Sequence, residues 1–151
     1  MKENRVLILI IVVLAGILLF NLNKTDPDTN NQAPKKQVAT INSPFGEKVN
    51  EEGEVRVYVK PVSLTLGQKA SFELAFDTHS INLDFEIEPS IKLIDSDGKI
   101  YSRATWNGSA AGGHHRSGII TFEDPLTDTG KVDLIVTKIG NTAERKFRWN
   151  L

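Results

Sequence analysis

The sequence predicts an all-β sandwich of seven or eight strands over residues 54–151. Three observations carry this expectation. Apolar and polar residues alternate through one segment after another, turn residues recur about every ten positions, and no helical apolar period interrupts them.

Val55, Val57 and Val59 alternate with Arg56, Tyr58 and Lys60. Pro61 interrupts, and Val62, Leu64 and Leu66 resume the pattern with Ser63 and Thr65 between them. Gly67-Gln68 marks a turn, and Phe72, Leu74 and Phe76 follow at period two. Ile81, Leu83, Phe85 and Ile87 give the cleanest alternation, with Asn82, Asp84 and Glu86 facing the other way. Ile91 and Leu93 lead into Asp95-Ser96-Asp97-Gly98, a hairpin turn with glycine where positive φ is needed. Ile100, Ser102, Ala104 and Trp106 form the expected return strand. Beyond a glycine-rich loop come Ile120 and Phe122, a turn bracketed by Pro125 and Gly130, then Val132, Leu134 and Val136 before Gly140-Asn141. Phe147, Trp149 and Leu151 finish the pattern. Strand number and spacing fit an immunoglobulin-like or fibronectin-like architecture, with a small Greek-key barrel or cupredoxin-like sandwich as the alternative.

Two unlike segments precede this region. Lys2 and Arg5 stand before an unbroken apolar run from Val6 to Phe20. A helix of that length, about 23–25 Å, is short against a hydrocarbon core of about 30 Å, so a signal-peptide core and a short anchor both fit. Leu19-Phe20-Asn21-Leu22-Asn23 lacks the small residues of a cleavage site, and Ile17 stands where a lipobox needs cysteine. We therefore expect a signal anchor over residues 1–22, a single-pass transmembrane helix whose positive flank keeps the N-terminus cytoplasmic. Residues 23–53, with Pro27, Pro34, Pro44 and charges of both signs, are expected to form a disordered linker. The folded domain would then be extracytoplasmic, held at the cell membrane.

Composition excludes several functions. A net charge of −1 without a basic patch argues against nucleic acid as a partner. The absence of cysteine removes disulfides, thiolate metal sites and a catalytic thiol. Asn23-Lys24-Thr25 and Asn107-Gly108-Ser109 match the N-glycosylation pattern, which matters only in a host that glycosylates.

All three histidines fall in one window. His79 sits in Asp77-Thr78-His79-Ser80, between two expected strands. His114 and His115 sit in Gly112-Gly113-His114-His115-Arg116-Ser117-Gly118, whose glycines permit close backbone approach. Connections gather at the ends of a sandwich, so His79 and one of His114 or His115 would converge if both connections share an end. Neutral imidazole suits Cu(II), Zn(II) or Ni(II), with Cu or Zn expected here, and Asp77 or Asp84 would add a carboxylate ligand. The competing expectation is structural: Arg116 pairs with Asp77 or Asp84, and a histidine satisfies backbone groups. Envelope proteins are the alternative partners.

Catalysis is not expected. Ser80, Ser109 and Ser117 lie near the histidines in sequence, but nothing resembles a nucleophile elbow. Asp84, Glu86 and Glu88 share one strand face, as a solvated sheet surface would have them. Asp95-Ser96-Asp97-Gly98 begins like a calcium loop but lacks its later oxygen ligands. Trp106 and Trp149 fall on apolar strand faces and are expected in the core.

The segments Asp77–Ser80, Gly112–Gly118 and Arg145-Lys146-Phe147-Arg148-Trp149 resemble those of uncharacterised exported bacterial immunoglobulin-like β-sandwich domains. The resemblance covers roughly residues 54–151. It implies a prokaryotic surface protein and no particular substrate.

Overall fold

A computed structural model describes residues 45–127 and 130–151. The anchor expected over residues 1–22 and most of the linker lie outside them. Among the described residues, no helix is long and apolar enough to cross a membrane.

The described chain is all-β. Its strands are β1 (Lys48–Asn50), β2 (Arg56–Ser63), β3 (Lys69–Asp77), β4 (Ile91–Asp95), β5 (Ile100–Tyr101), β6 (Ala104–Gly108), β7 (His115–Pro125), β8 (Lys131–Ile139) and β9 (Thr142–Asn150). They form two antiparallel sheets, a five-stranded one ordered β1-β2-β3-β7-β6 and a four-stranded one ordered β5-β4-β8-β9. The linker expectation ran to residue 53, yet Lys48–Asn50 is already paired with Val57–Val59 of β2.

Period-two alternation decides which side chains the two sheets share. Val57 and Val59 of β2, Phe72, Leu74 and Phe76 of β3, Ile120 and Phe122 of β7, Leu134 and Val136 of β8, and Phe147 and Trp149 of β9 enter one buried cluster. Phe72 and Trp149 meet across it with ring centroids 5.4 Å apart. The indole Nε1 of Trp149 donates to the Gly46 carbonyl at 3.0 Å, so its polar edge is satisfied as well. Trp106 is partly buried against the same cluster, as expected.

Three expectations need correction. Pro61 does not end a strand. It is inward-facing in β2, opposite Phe72, beyond the last residue that β1 pairs, where a missing N–H is tolerated. The ladder slips between Pro61 and Ser63, and Leu66, in the turn beyond β2, is half exposed.

Ile81–Ile87 is not a strand, although Leu83 and Ile87 are buried. The segment runs irregularly across the sandwich end into a short 3₁₀ turn, Glu88–Ser90, which Pro89 favours. The return from the Asp95–Gly98 turn is also divided. Ile100–Tyr101 stays in the four-stranded sheet, whereas Ala104–Gly108 joins the five-stranded one. The crossing at residues 102–103 reverses the phase, so Tyr101 is buried and Ile100 is exposed. The Tyr101 hydroxyl donates to Asp95 at 2.9 Å, and Asp95 also accepts the Lys99 N–H at 2.9 Å. Gly98 N–H donates to the Asp95 carbonyl at 3.2 Å, so Asp95–Gly98 is the hairpin turn between β4 and β5.

Candidate functional site

The connections that carry the histidines share one end of the sandwich. Thr78 N–H donates to the His114 carbonyl at 3.0 Å, so the chain after β3 runs beside the chain before β7. Gly112 and Gly113, with φ of +110° and +76°, turn the preceding loop back onto residues 82–83. There Gly112 N–H donates to Leu83 O at 2.7 Å, Leu83 N–H to Gly113 O at 2.9 Å, and Gly113 N–H to Asn82 Oδ1 at 2.7 Å.

Three strands bring charged side chains into one row at this end. Arg56 of β2, Asp77 of β3 and His115 of β7 are successive register partners. His115 Nδ1 lies 2.9 Å from Asp77 Oδ1. An ionised carboxylate only accepts, so His115 donates from Nδ1, and a neutral ring would carry its lone pair on Nε2. The His115 side chain is 71% exposed. Arg56 ion-pairs with Glu51 at 2.7 Å and donates to the Tyr58 hydroxyl at 3.2 Å. The Tyr58 bond first, and then the Glu51 charge, hold the Arg56 guanidinium above its ordinary pKa.

Beside this row an open cleft of about 520 Å³ is lined by Glu51, Glu54, Arg56, Asp77, His79 and Ser80, among others. His79 and His114 are both exposed. The structure thus joins Asp77 to His115 and sets His79 on the same cleft as Asp77. Among the described residues, no three His, Asp or Glu side chains gather as a group that could hold a metal ion. Asp84 is exposed on the irregular 81–87 segment.

Arg116 does not pair with Asp77 or Asp84, as the structural alternative expected. It points inward from β7 and is 4% exposed. Its Nη1 donates to the carbonyls of Leu83 at 3.0 Å and Phe85 at 2.6 Å, and the guanidinium lies over the Phe85 ring. It therefore holds the 81–87 segment that no sheet ladder holds. The reason is positional: in β7 alternation Arg116 is in phase with Ile120 and Phe122, while Asp77 points outward with His115.

Sequence reasoning missed a second buried guanidinium, Arg145 of β9. Its donors reach Asn50 Oδ1 at 2.8 Å and the carbonyls of Ile139 at 2.7 Å, Val55 at 3.1 Å and Glu52. Burial pushes its pKa below the ordinary value, and the Glu52 charge offsets part of that. The available signal was phase, since Arg145 alternates with Phe147 and Trp149. By fixing Glu52 and Val55, Arg145 braces the turn that carries Glu51, Glu54 and Arg56 to the cleft.

Neither a protein-family model, nor a curated protein, nor a solved structure matches this chain.

Proposed function

We propose that this protein is a membrane-anchored, extracytoplasmic binding module that takes a divalent metal, Cu or Zn, at the histidine-bearing end of an immunoglobulin-like sandwich. The observation that carries the reading is the Asp77–His115 pair on an exposed strand end, because a carboxylate bonded at Nδ1 leaves Nε2 of a neutral ring as the nitrogen for a ligand.

Strand order supports the architecture. β2-β3-β7-β6 follows the A-B-E-D order of immunoglobulin domains, and β5-β4-β8-β9 follows C′-C-F-G. Chain direction leaves the histidine-bearing end clear of the incoming chain. Asn50 is level with Val57 and Lys48 with Val59, so the chain enters the sandwich at the end away from Arg56 and Asp77. The Trp149 bond to Gly46 and the Leu151 bond to Gly130 put the last residues at that same entry end.

The test is calorimetric titration of Zn(II) and Cu(II) into the full chain in detergent micelles, beside a variant with all three histidines changed to Gln. Binding by the native chain alone supports the reading, and equal behaviour of the two overturns it. A second reading, a metal-free interaction domain of an envelope assembly, is favoured by the absence of a three-donor group among the described residues. It predicts equal behaviour.

A further inference from the structure

We infer that the outer face of the five-stranded sheet is an interface on which a second copy of this chain docks, about a two-fold axis running along the strands between β2 and β3. The inference is independent of the metal-binding reading. Its test reads association rather than metal, so either can fail alone.

The outward side chains of β2 and β3 carry the argument. Arg56, Tyr58 and Lys60 alternate with buried residues on β2, and Asp77, Ala75 and Glu73 are their direct register partners on β3. Both charges of the β2 column are positive, and both of the β3 column are negative. A two-fold axis parallel to the strands exchanges the two columns and keeps each pair at its own level. It therefore sets Arg56 of each copy over Asp77 of the other, Tyr58 over Ala75, and Lys60 over Glu73. An axis across the strands, at the level of Tyr58, would instead bring Arg56 onto Lys60 and Asp77 onto Glu73. Like charges would then meet, so the pattern selects one orientation.

Shape and polarity agree with that orientation. The middle level is the least polar. Val49 of β1, 45% exposed, is the register partner of Tyr58, and Ala75 follows on β3. Over this stretch lies a depression of about 280 Å³, walled by Tyr58, Lys60, Glu73, Ala75 and Asp77, among others. Tyr58 of the other copy is placed to fill it. An apolar centre inside a polar rim is the usual anatomy of a protein interface, and aromatic side chains seated in pockets carry much of its energy. Sheets packed face to face keep their strands within about 30° of each other, which an axis along the strands permits.

Lys60 and Glu73 are the pair to test. Arg56 and Asp77 already have partners in Glu51 and His115. No ion pair among the described residues involves Lys60 or Glu73.

Sedimentation equilibrium of the full chain in density-matched detergent micelles measures association, with thermal unfolding of every variant as the folding control. The native chain should dimerise reversibly, and more weakly as salt screens the rim charges. Lys60→Glu and Glu73→Lys should each weaken the dimer by roughly 10-fold or more, since like charges then meet across it. An equimolar mixture of the two variants should recover it. Within each variant chain positions 60 and 73 carry like charges, so recovery in the mixture reports contact between copies. Ala75→Gln, which fills the depression without adding charge, should abolish association.

A native chain that is still monomeric at about 0.5 mM overturns the inference. So does a dimer that both charge reversals leave unchanged, because the copies then meet elsewhere. Weakening in both variants without recovery in their mixture places the effect within one copy and also overturns it.

Discussion

Arg145 Nε donates to the side-chain oxygen of Asn50 at 2.8 Å, joining the outer strand of one sheet to the outer strand of the other. The remaining guanidinium donors take the Ile139, Glu52 and Val55 carbonyls. Arg145 is 1% exposed, so its removal deprives buried carbonyls of donors that water cannot readily replace. An unsatisfied buried acceptor costs about 1–3 kcal/mol. Arg145→Met should therefore destabilise the domain by about 2–4 kcal/mol. Arg145→Lys should recover only part of this, since one ammonium cannot span the same acceptors. Urea midpoints of the three proteins measure both effects.

Gly53 and Gly140 make a matched experiment with Gly67 and Gly98. All four have positive φ, between 57° and 81°. A β-carbon at Gly53 would stand 2.2 Å from the Gly140 carbonyl oxygen, and one at Gly140 would stand 2.6 Å from Val55 Cγ2. Nothing lies within 4 Å at Gly67 or Gly98. Alanine at Gly67 or Gly98 should cost about 1 kcal/mol, from backbone conformation alone. Alanine at Gly53 or Gly140 should cost at least about 2 kcal/mol more, because the two hairpins must separate. Equal losses at all four sites would mean that the hairpins are not in contact.

Asp133 and Arg148, register partners on the outer face of the four-stranded sheet, form a bidentate pair at 2.6 and 2.8 Å. The Arg148 hydrogen bonds hold the Asp133 carboxyl below its ordinary pKa against the opposing effect of burial. A depressed folded pKa contributes stability that is fully present above the unfolded value, about 3.9. That contribution is lost as pH falls through the folded value. Asp133→Asn should remove it at neutral pH and flatten the decline in acid. The gap between native and variant urea midpoints should therefore be widest near pH 7 and narrow toward pH 2–3. A constant gap would exclude this pair as a source of acid sensitivity.

Alternation in the sequence reports which side chains face inward, and less reliably what the backbone does. It led correctly to most of the core, from Val57 to Trp149. At Ile81–Ile87 the same pattern occurs without a strand, because Leu83 and Ile87 turn inward from a segment held by Arg116 and the Gly112–Gly113 turn. At residues 100–106 one expected strand became two, because alternation cannot register a change of sheet. Arg116 was expected to pair with Asp77 or Asp84, and Arg145 was passed over, though each keeps the phase of its apolar neighbours. The Asp77–His115 pair was only half legible. Both residues were candidates, but their direct opposition follows from β3–β7 register, which joins positions 38 apart in sequence.

Arg116 supplies the most local prediction. The Ile81–Ile87 segment has neither ladder pairing nor a helix of its own; the Arg116 guanidinium donates to its Phe85 carbonyl and shares its Leu83 carbonyl with the Gly112 N–H. Local opening free energy follows such attachments, so this end should open independently of the sheets once they are cut. In Arg116→Met, the Leu83 and Gly112 amides should exchange faster than in the native chain by roughly 10-fold or more, for a local loss of at least 1.4 kcal/mol. Amides at the β3–β7 and β8–β9 ladders should change less. Native-state hydrogen exchange resolved by residue checks this. A uniform acceleration would show that Arg116 stabilises the whole sandwich rather than the end against which His79 and His115 are placed.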